Sequence, residues 1–400
     1  MSRAGTPLNE KIFVLLNIGQ RRLFFRFSPH SPFSFPSASG MPSPTPPPIL
    51  DTRFDPAIQA TNDDASLSKL SAIRLGYWAD PWLAHFLAAR PPTPPGAPPP
   101  RRSPSLAHPP PRRPPLINRG YYCRHLAFTW LVDTFLEAVR KGGGGGGGTR
   151  PSTILSLGAG FETTFFRLAA EGAAPTRYVE LDHAPITRRK AAVIAGVPAL
   201  CDAVSGGGKA SFDLAAGCVS SPTYALRPVD LRDADAVVAT LADLGLDRTA
   251  PTLILAECVF AYLPPAAGAR LVAALGAWFP TAAACAVYDP IRPGDAFGVQ
   301  MGANLEARGC PLVGVPGAPT TEGQAGRFTA GGAWAAAAAA DLREVWARRT
   351  PAAAHAAADR IERLDEVEEW HLMLEHYGLA VGVNDREGVL AGFGLPPLVG

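Results

Sequence analysis

Short apolar runs alternate with helical patterns through the middle of the chain. Thr153–Leu157 (TILSL), Arg177–Leu181 (RYVEL), Tyr224–Val229, Thr252–Ala256 (TLILA) and Ala282–Tyr288 have strand length and composition. Between them, Thr163–Ala170, Pro185–Ile194, Ala234–Leu244 and Pro265–Phe279 carry helical patterns. This alternation predicts an α/β fold, a mainly parallel sheet with right-handed crossovers and helices on both faces. No repeat of about 20–50 residues is visible, which excludes solenoids and propellers. Further on, Ile361, Leu364, Val367, Trp370 and Leu374 recur at three- and four-residue spacing and predict one apolar helix face, with an acidic side in solvent. Ala335–Ala340 has strong helix propensity.

Three stretches read as spacers. Residues 31–49 are rich in Pro and Ser. Residues 91–115 hold thirteen prolines in twenty-five positions, which forces extended chain and excludes helix. Gly142–Gly148 is an unbroken glycine run, a flexible joint. The expected organisation is a disordered leader over 1–50, one domain over 51–383 carrying the disordered insert 91–115 and the linker 142–148, and a tail over 384–400. The proline-rich stretch reads as a neutral insertion; docking of an SH3-type partner is its other reading.

Composition narrows the class. With 47% hydrophobic residues the chain has ample core, and no apolar stretch approaches the ~20 residues of a bilayer span. Residues 1–50 hold five Lys/Arg against one acid and 91–115 hold four Arg and none, so the remainder of this +2 chain is net −6. A mildly acidic body argues against a nucleic-acid surface. The six cysteines (123, 201, 218, 258, 285, 310) are scattered without a C-x-x-C, so no zinc site or disulfide framework is expected, and reduced thiols in a cytoplasmic protein are. The acid-poor start lacks a signal-peptide pattern; it is a disordered or misassigned leader before Met41, or an organelle transit peptide.

The chemistry lies where the strands end. In an open parallel sheet, ligands bind beyond the carboxyl ends of the strands. The first four candidate strands end in Gly158-Ala-Gly160, Asp182, Asp230 and Glu257. Glycine lets backbone approach a ligand closely. Asp182, twenty-two residues after Gly160, is placed to accept ribose hydroxyls. An acid after the third strand can take an adenine amino group, and one after the fourth can face an ammonium. Together they describe an adenosyl ligand with positive charge. A dinucleotide fits less well: the third fingerprint glycine is replaced by Thr163, and Glu162 would repel pyrophosphate. Gly206-Gly207-Gly208-Lys209 lacks the rest of a phosphate loop and reads as plain loop. Histidines 125, 183, 371 and 376 show no paired spacing and read as structural. There is no G-x-S-x-G and no H-E-x-x-H.

Several ordered blocks carry a resemblance. They are Asp64-Ala-Ser-Leu-Ser-Lys69, Gly76-Tyr-Trp-Ala-Asp-Pro81, Ile117-Asn-Arg-Gly-Tyr-Tyr-Cys-Arg124, Leu157-Gly-Ala-Gly160 with Thr163-Thr-Phe165, Asp230-Leu-Arg-Asp233, and Ala256-Glu-Cys-Val259 with Tyr262. Gly294-Asp295, Phe297-Gly298, Met301, Asn304-Leu305, Arg308, Cys310, Arg327-Phe328, Leu364-Asp-Glu366 and His376-Tyr377 continue the series. In this order, over roughly 60–383, they resemble the leucine carboxyl methyltransferase family. The resemblance implies S-adenosyl-L-methionine as cofactor and the α-carboxylate of the C-terminal leucine of the protein phosphatase type 2A catalytic subunit as methyl acceptor. It implies cofactor contacts for Lys69, Arg124, Gly158, Asp182, Asp230, Leu231 and Glu257. Tyr288-Asp-Pro290 departs from the family, which more often has an acid then a polar residue.

The implied chemistry requires no acid, base, nucleophile or metal. A C-terminal carboxylate, with a pKa near ~3.5, is ionised at neutral pH and attacks directly. Catalysis then rests on alignment and exclusion of water. Arg119 and Tyr262 are positioning candidates, the first for a carboxylate and the second for the leucine side chain. The expected architecture is a Rossmann-like methyltransferase, a monomer, with a helical lid built from 51–90, 116–140 and 291–350. The alternatives are a relative acting on a tRNA-base or small-molecule carboxylate, and a non-catalytic phosphatase-binding scaffold.

Overall fold

The computed structural model describes residues 52–88, 112–142 and 150–399. The leader, most of the proline-rich insert and all of the glycine run except Gly142 lie outside the described residues. The described chain opens with α1 (Asp55–Leu75) and α2 (Leu83–Ala88), followed by the long α3 (Pro115–Gly142). Pro115 is the first residue of α3, where its missing N–H costs nothing. The extended chain expected for 91–115 therefore gives way to helix at its last residue.

Alternating units follow: β1 (Thr153–Leu157), α4 (Thr164–Ala170), β2 (Arg177–Asp182), α5 (Ala184–Gly196) and α6 (Pro198–Ser205). A hairpin, β3 (Ser211–Asp213) and β4 (Cys218–Ser220), leads into β5 (Tyr224–Pro228), α7 (Ala234–Asp243), β6 (Thr252–Glu257), α8 (Pro265–Trp278) and β7 (Ala282–Pro290). The last part holds α9 (Ala296–Glu306), α10 (Thr321–Thr329), β8 (Ala336–Asp341), α11 (Leu342–Glu344), α12 (Ala352–Ile361), α13 (Val367–Glu375) and β9 (Tyr377–Asp385).

Among the described residues one sheet runs in the order β3-β4-β5-β2-β1-β6-β7-β9-β8. β5, β2, β1, β6 and β7 are parallel; the β3–β4 hairpin, β9 and β8 add antiparallel edges. The order reverses at β1, with β2 on one side and β6 on the other, so the switch point lies at the carboxyl ends of these strands. Side chains alternate between two apolar layers. Ile154 of β1 joins the layer that includes α3, while Leu155 and Leu157 join the layer that includes α7 and α8. Burial on both faces explains why β1 and β7 read as continuous apolar runs. No described helix is long and apolar enough to cross a membrane.

Three local expectations are corrected. Ala336–Asp341 is an edge strand, not a helix. An alanine hexamer is too short to nucleate a helix on its own. Its entry is pinned instead by Trp334 Nε1 donating to the Val272 carbonyl (2.9 Å) and Ala335 N donating to Asn384 Oδ1 (2.8 Å), and the ladder with β9 does the rest. The apolar series from Ile361 to Leu374 is split between α12 and α13 by residues 362–366. After β9, Val389, Leu390 and Phe393 are buried, with Phe393 edge-on to Phe135 of α3, so the segment read as a tail packs on the core.

The break at 362–366 has a physical cause. Glu362 is 4% exposed and its carboxylate accepts from Tyr77 Oη (3.0 Å), Asn118 Nδ2 (3.0 Å) and Arg112 Nε (3.0 Å). Continuing the helix would pull that carboxylate off its donors. Glu362→Ala should therefore destabilise the fold by roughly 2–4 kcal/mol, because the buried Tyr77 and Asn118 donors lose a charged acceptor while Arg112 is left largely in water. Denaturant unfolding would check it, and a loss under about 1 kcal/mol would remove Glu362 from this role.

Candidate active site

The turn after β1 is shaped by two glycines. Gly158 and Gly160 have φ of +59° and +50°, where side-chain-bearing residues are strained. A Cβ on Gly158 would stand 2.7 Å from Val259 Cγ2, and one on Gly160 2.5 Å from Asn62 Oδ1. Gly158 N donates to the Leu181 carbonyl (2.8 Å) and Phe161 N to Asn62 Oδ1 (2.8 Å), so the turn is held against both β2 and α1.

Asp182 closes the next strand and is 8% exposed. Its Oδ2 accepts from Gly160 N and its Oδ1 from His183 N, each at 2.6 Å. Burial pushes its pKa above the ordinary value, against the pull of these two amides. Each oxygen keeps acceptor capacity beyond its amide, so the carboxylate is rigid and can still take hydroxyl donors. Asp230, after β5, accepts from Arg232 N (2.9 Å) and its guanidinium; burial opposes ionisation, but these bonds hold its pKa below the ordinary value. Arg232 also grips Asp55 at the start of α1. Leu231 beside it is buried.

Glu162 turns the dinucleotide argument into geometry. Its Oε1 accepts from Thr163 N (2.9 Å), Thr164 N (3.2 Å) and Thr164 Oγ1 (2.9 Å), at the start of α4. The place a pyrophosphate would take already holds a carboxylate. Its other oxygen pairs with Lys69 at 2.7 Å. Burial opposes its charge, yet Lys69 and these donors keep its pKa far below the usual carboxylate range.

Lys69 thus joins Asp55 on Arg232 and Asn62 on Phe161 as a contact of α1. From Asp55 to Lys69 is fourteen helical steps, about 21 Å along the carboxyl edge of the sheet. Arg308 after α9 pairs with Asp64 of the same helix. Of the expected lid, α1 and α3 and the 308–310 turn reach this edge, whereas 336–341 belongs to the sheet itself.

Arg124 comes from α3 and pairs with Glu257 at the end of β6. Its guanidinium lies 4.8 Å from the Tyr288 ring and 5.9 Å from the Tyr121 ring, and Nη1 is 3.6 Å from Cys258 Sγ. Tyr288 stacks on Tyr377 at 5.2 Å. Cys258 has φ +55°, uncommon for a residue with a side chain, and donates N–H to the Tyr288 carbonyl (2.7 Å). Burial pushes its thiol up to about 11, so it is not a nucleophile. Tyr262 stands on the 3₁₀ turn 260–262 that follows, and burial raises its hydroxyl far above the ordinary value. Neither group is a base at neutral pH.

Arg119 is elsewhere. It is 5% exposed, with Nη1 on Asp359 (2.8 Å) and Nη2 on the Glu362 carbonyl (2.6 Å). It ties α3 to α12, with its guanidinium already on the Asp359 carboxylate. Five residues separate it from Arg124, about 140° around the helix, so only one of them faces the edge. His125 stacks on Trp78 at 4.5 Å, and His376 Nε2 meets Asp295 Oδ1 at 2.7 Å. All six cysteines are free, three buried and three half-buried.

One site residue escaped the sequence reading. Asp289, in the Tyr288-Asp-Pro290 departure, is buried at the end of β7. Its Oδ1 accepts from Ala261 N (3.2 Å) and its Oδ2 from Arg327 Nη1 (3.3 Å), while Arg327 lies 4.6 Å from the Phe260 ring. The pair fixes the turn that carries Tyr262. The rule that found Asp182 and Glu257, an acid at a parallel strand end, would have found it had the strand been extended by one residue.

The residues fit an adenosyl amino acid. Gly158 and Gly160 leave a cradle that a Cβ would fill, Asp182 retains acceptor capacity, and Arg124 beside Glu257 pairs a cation with an anion. Sheet order, turn and acids define the class first: an α/β S-adenosylmethionine-dependent methyltransferase. The leucine carboxyl methyltransferase family profile then matches residues 57–276. The leucine carboxyl methyltransferase 1 homolog of Arabidopsis thaliana is 40% identical over 338 residues, 84% of this chain and 92% of its own length. The Aspergillus fumigatus leucine carboxyl methyltransferase 1 is 34% identical, covering 84% of each chain. Human tRNA wybutosine-synthesizing protein 4 is 38% identical over 80% of this chain, but only 43% of that longer protein is covered. Among solved structures, the plantazolicin methyltransferase BamL is similar at 9% identity and a TM-score of 0.38, over 80% of this chain and 98% of that one. The chain belongs to the leucine carboxyl methyltransferase family, and its cofactor is S-adenosylmethionine.

Asp289 carries a pH prediction. Burial, only partly offset by Arg327, raises its pKa to about 6. The folded state then binds this proton more tightly than the unfolded chain, so its contribution is full below the unfolded value near ~3.8 and lost as pH rises through 6. The stability of wild type minus that of Asp289→Asn should fall by roughly 2–2.5 kcal/mol between pH 4 and pH 7. Denaturant titrations at both pH values measure it; a flat difference would place the carboxylate's pKa at its ordinary value.

Proposed function

We propose that this chain methylates the α-carboxylate of the C-terminal leucine of the protein phosphatase type 2A catalytic subunit. The observation that carries the reading is the Arg124–Glu257 pair at the end of β6, walled by Tyr121 and Tyr288. A neighbouring cation and anion complement the carboxylate and ammonium of an amino-acid end. S-adenosylmethionine supplies, when bound, a methyl group on a positively charged sulfur. Gly158 and Gly160 give it backbone access, Asp182 accepts the ribose hydroxyls, Asp230 and Leu231 hold the adenine, and Glu257 faces the ammonium. Arg124 and Lys69 hold carboxylates.

The acceptor is already an anion, so these residues have no proton to remove. Their task is to align two reactants and exclude water, which α1 and the 308–310 turn do by covering the edge. Tyr262 and the aromatic wall receive the leucine side chain. The near-complete coverage of the Arabidopsis relative supports a protein acceptor. The 38% identity to the wybutosine-synthesizing protein keeps a tRNA-base carboxylate as the second reading.

Labelled methyl transfer tests it. A phosphatase tail peptide, or the intact subunit, should be methylated only when the terminal leucine is present, and tRNA carrying the unmethylated wybutosine precursor should not be. Transfer to the tRNA, or transfer indifferent to the leucine, would overturn the reading.

The two arginines separate by measurement. Arg124→Ala should weaken S-adenosylhomocysteine binding by about tenfold or more and lower turnover, because a planar bidentate donor is lost, and Arg124→Lys should restore it only in part. Arg119→Ala should lower the melting temperature and leave that affinity unchanged. Calorimetry and thermal unfolding on both variants decide it; the reverse pattern would move the clamp to Arg119.

A further inference from the structure

Behind the glycine turn lies an ion pair that the chemistry above does not use. Lys190 of α5 and Glu180 of β2 are both 0% exposed, with Nζ 2.5 Å from Glu180 Oε2. The same Nζ donates to the Glu162 carbonyl at 2.8 Å. Tyr224 Oη of β5 donates to Glu180 Oε2 at 2.9 Å. Glu180 Oε1 and the neighbouring Tyr178 hydroxyl find no hydrogen-bond partner among the described residues. Taking two charges wholly out of water is expensive, and apolar residues of the same size often serve stability as well or better. The pair is thus a poor device for stability, which directs attention to what it holds.

What it holds is the Glu162 peptide. The side chain of Glu162 accepts from the first amides of α4 and pairs with Lys69, and its backbone closes the turn that begins at Gly158. A continuous chain of contacts therefore runs from Tyr224 through Glu180, Lys190 and Glu162 to Lys69 of α1. It anchors the turn at the Glu162 carbonyl, a different point from the Phe161 amide that Asn62 holds. Two of the lysine's three donors are committed, one to a strand and one to the turn, so the turn is tied to the sheet as well as to α1.

We propose that Lys190 and Glu180 are positioning residues for S-adenosylmethionine: they set the Gly158–Glu162 turn, and the placement of Lys69 through it, and thereby set cofactor affinity. The inference rests on the cofactor alone and not on the identity of the methyl acceptor, so it stands or falls separately from the phosphatase reading.

The test uses the full chain and S-adenosylhomocysteine as probe. In Lys190→Met/Glu180→Gln the charges are gone, the volumes are nearly kept, and the Tyr224 hydroxyl retains an acceptor. This variant should fold with a melting temperature close to wild type yet bind the probe about tenfold more weakly or worse, since a charged anchor on the turn is missing. Amide exchange at Gly160, Phe161, Thr163 and Thr164 should rise in the free protein, while that of β1 and β2 is unchanged. If the double variant does not fold, Lys190→Met alone, in which the buried Glu180 can take up a proton, carries the same measurements. Affinity lost by less than about fivefold in a folded variant would overturn the proposal, as would a fall in stability without faster exchange in the turn.

Discussion

Carboxylates crowded at one edge of a sheet must each find donors, and the structure is organised around that constraint. Five parallel strands end in the same place, and acids follow four of them: Asp182, Asp230, Glu257 and Asp289. Left to themselves these charges would repel and each would lose its water. Asp182 is held by two backbone amides, Asp230 by Arg232, Glu257 by Arg124 and Asp289 by Arg327 with the Ala261 amide. The donors come from different elements, so satisfying the acids also docks the helices. α1 is positioned by Asp55 on Arg232 and Lys69 on Glu162, α3 by Arg124 on Glu257, and α10 by Arg327 on Asp289.

The same economy separates the charged residues into two functions. Arg124 and Arg119 lie on one helix, in one sequence block, and both are mostly buried. The first faces the strand ends among tyrosines; the second spends both terminal nitrogens on Asp359 and a main-chain carbonyl. Glu162 and Glu362 divide likewise. Glu162 saturates the start of α4 and excludes a phosphate there, whereas Glu362 gathers Tyr77, Asn118 and Arg112 into a joint between the first and last helices. Side-chain type and charge are alike within each pair, and the partners supplied by the fold make the difference.

The central architecture was legible because its signals are local. Strands buried on both faces are mostly apolar, so β1, β6 and β7 announce themselves, and glycines with positive φ or acids at strand ends follow in order. Ordered blocks of sequence also marked the family. The alanine run at 336–340 misled, since propensity within six residues is weaker than a ladder offered by a distant strand. The apolar series through Leu364 misled for a related reason: a spacing that would suit a helix is overridden where Glu362 is held by groups 244 to 285 residues away.

By itself, then, the sequence determined the parallel α/β core, the glycine turn, and the strand-end acids Asp182, Asp230 and Glu257, because each depends on neighbours within a few residues. Tertiary structure alone decided which cation meets which acid. It put Arg124 and not Arg119 at the edge, gave Asp289 the turn bearing Tyr262, made Ala336–Asp341 a strand, and set Lys190 behind Glu162. Those outcomes depend on the cost of burying a charge without a partner, and the partners are brought together only by the folded chain.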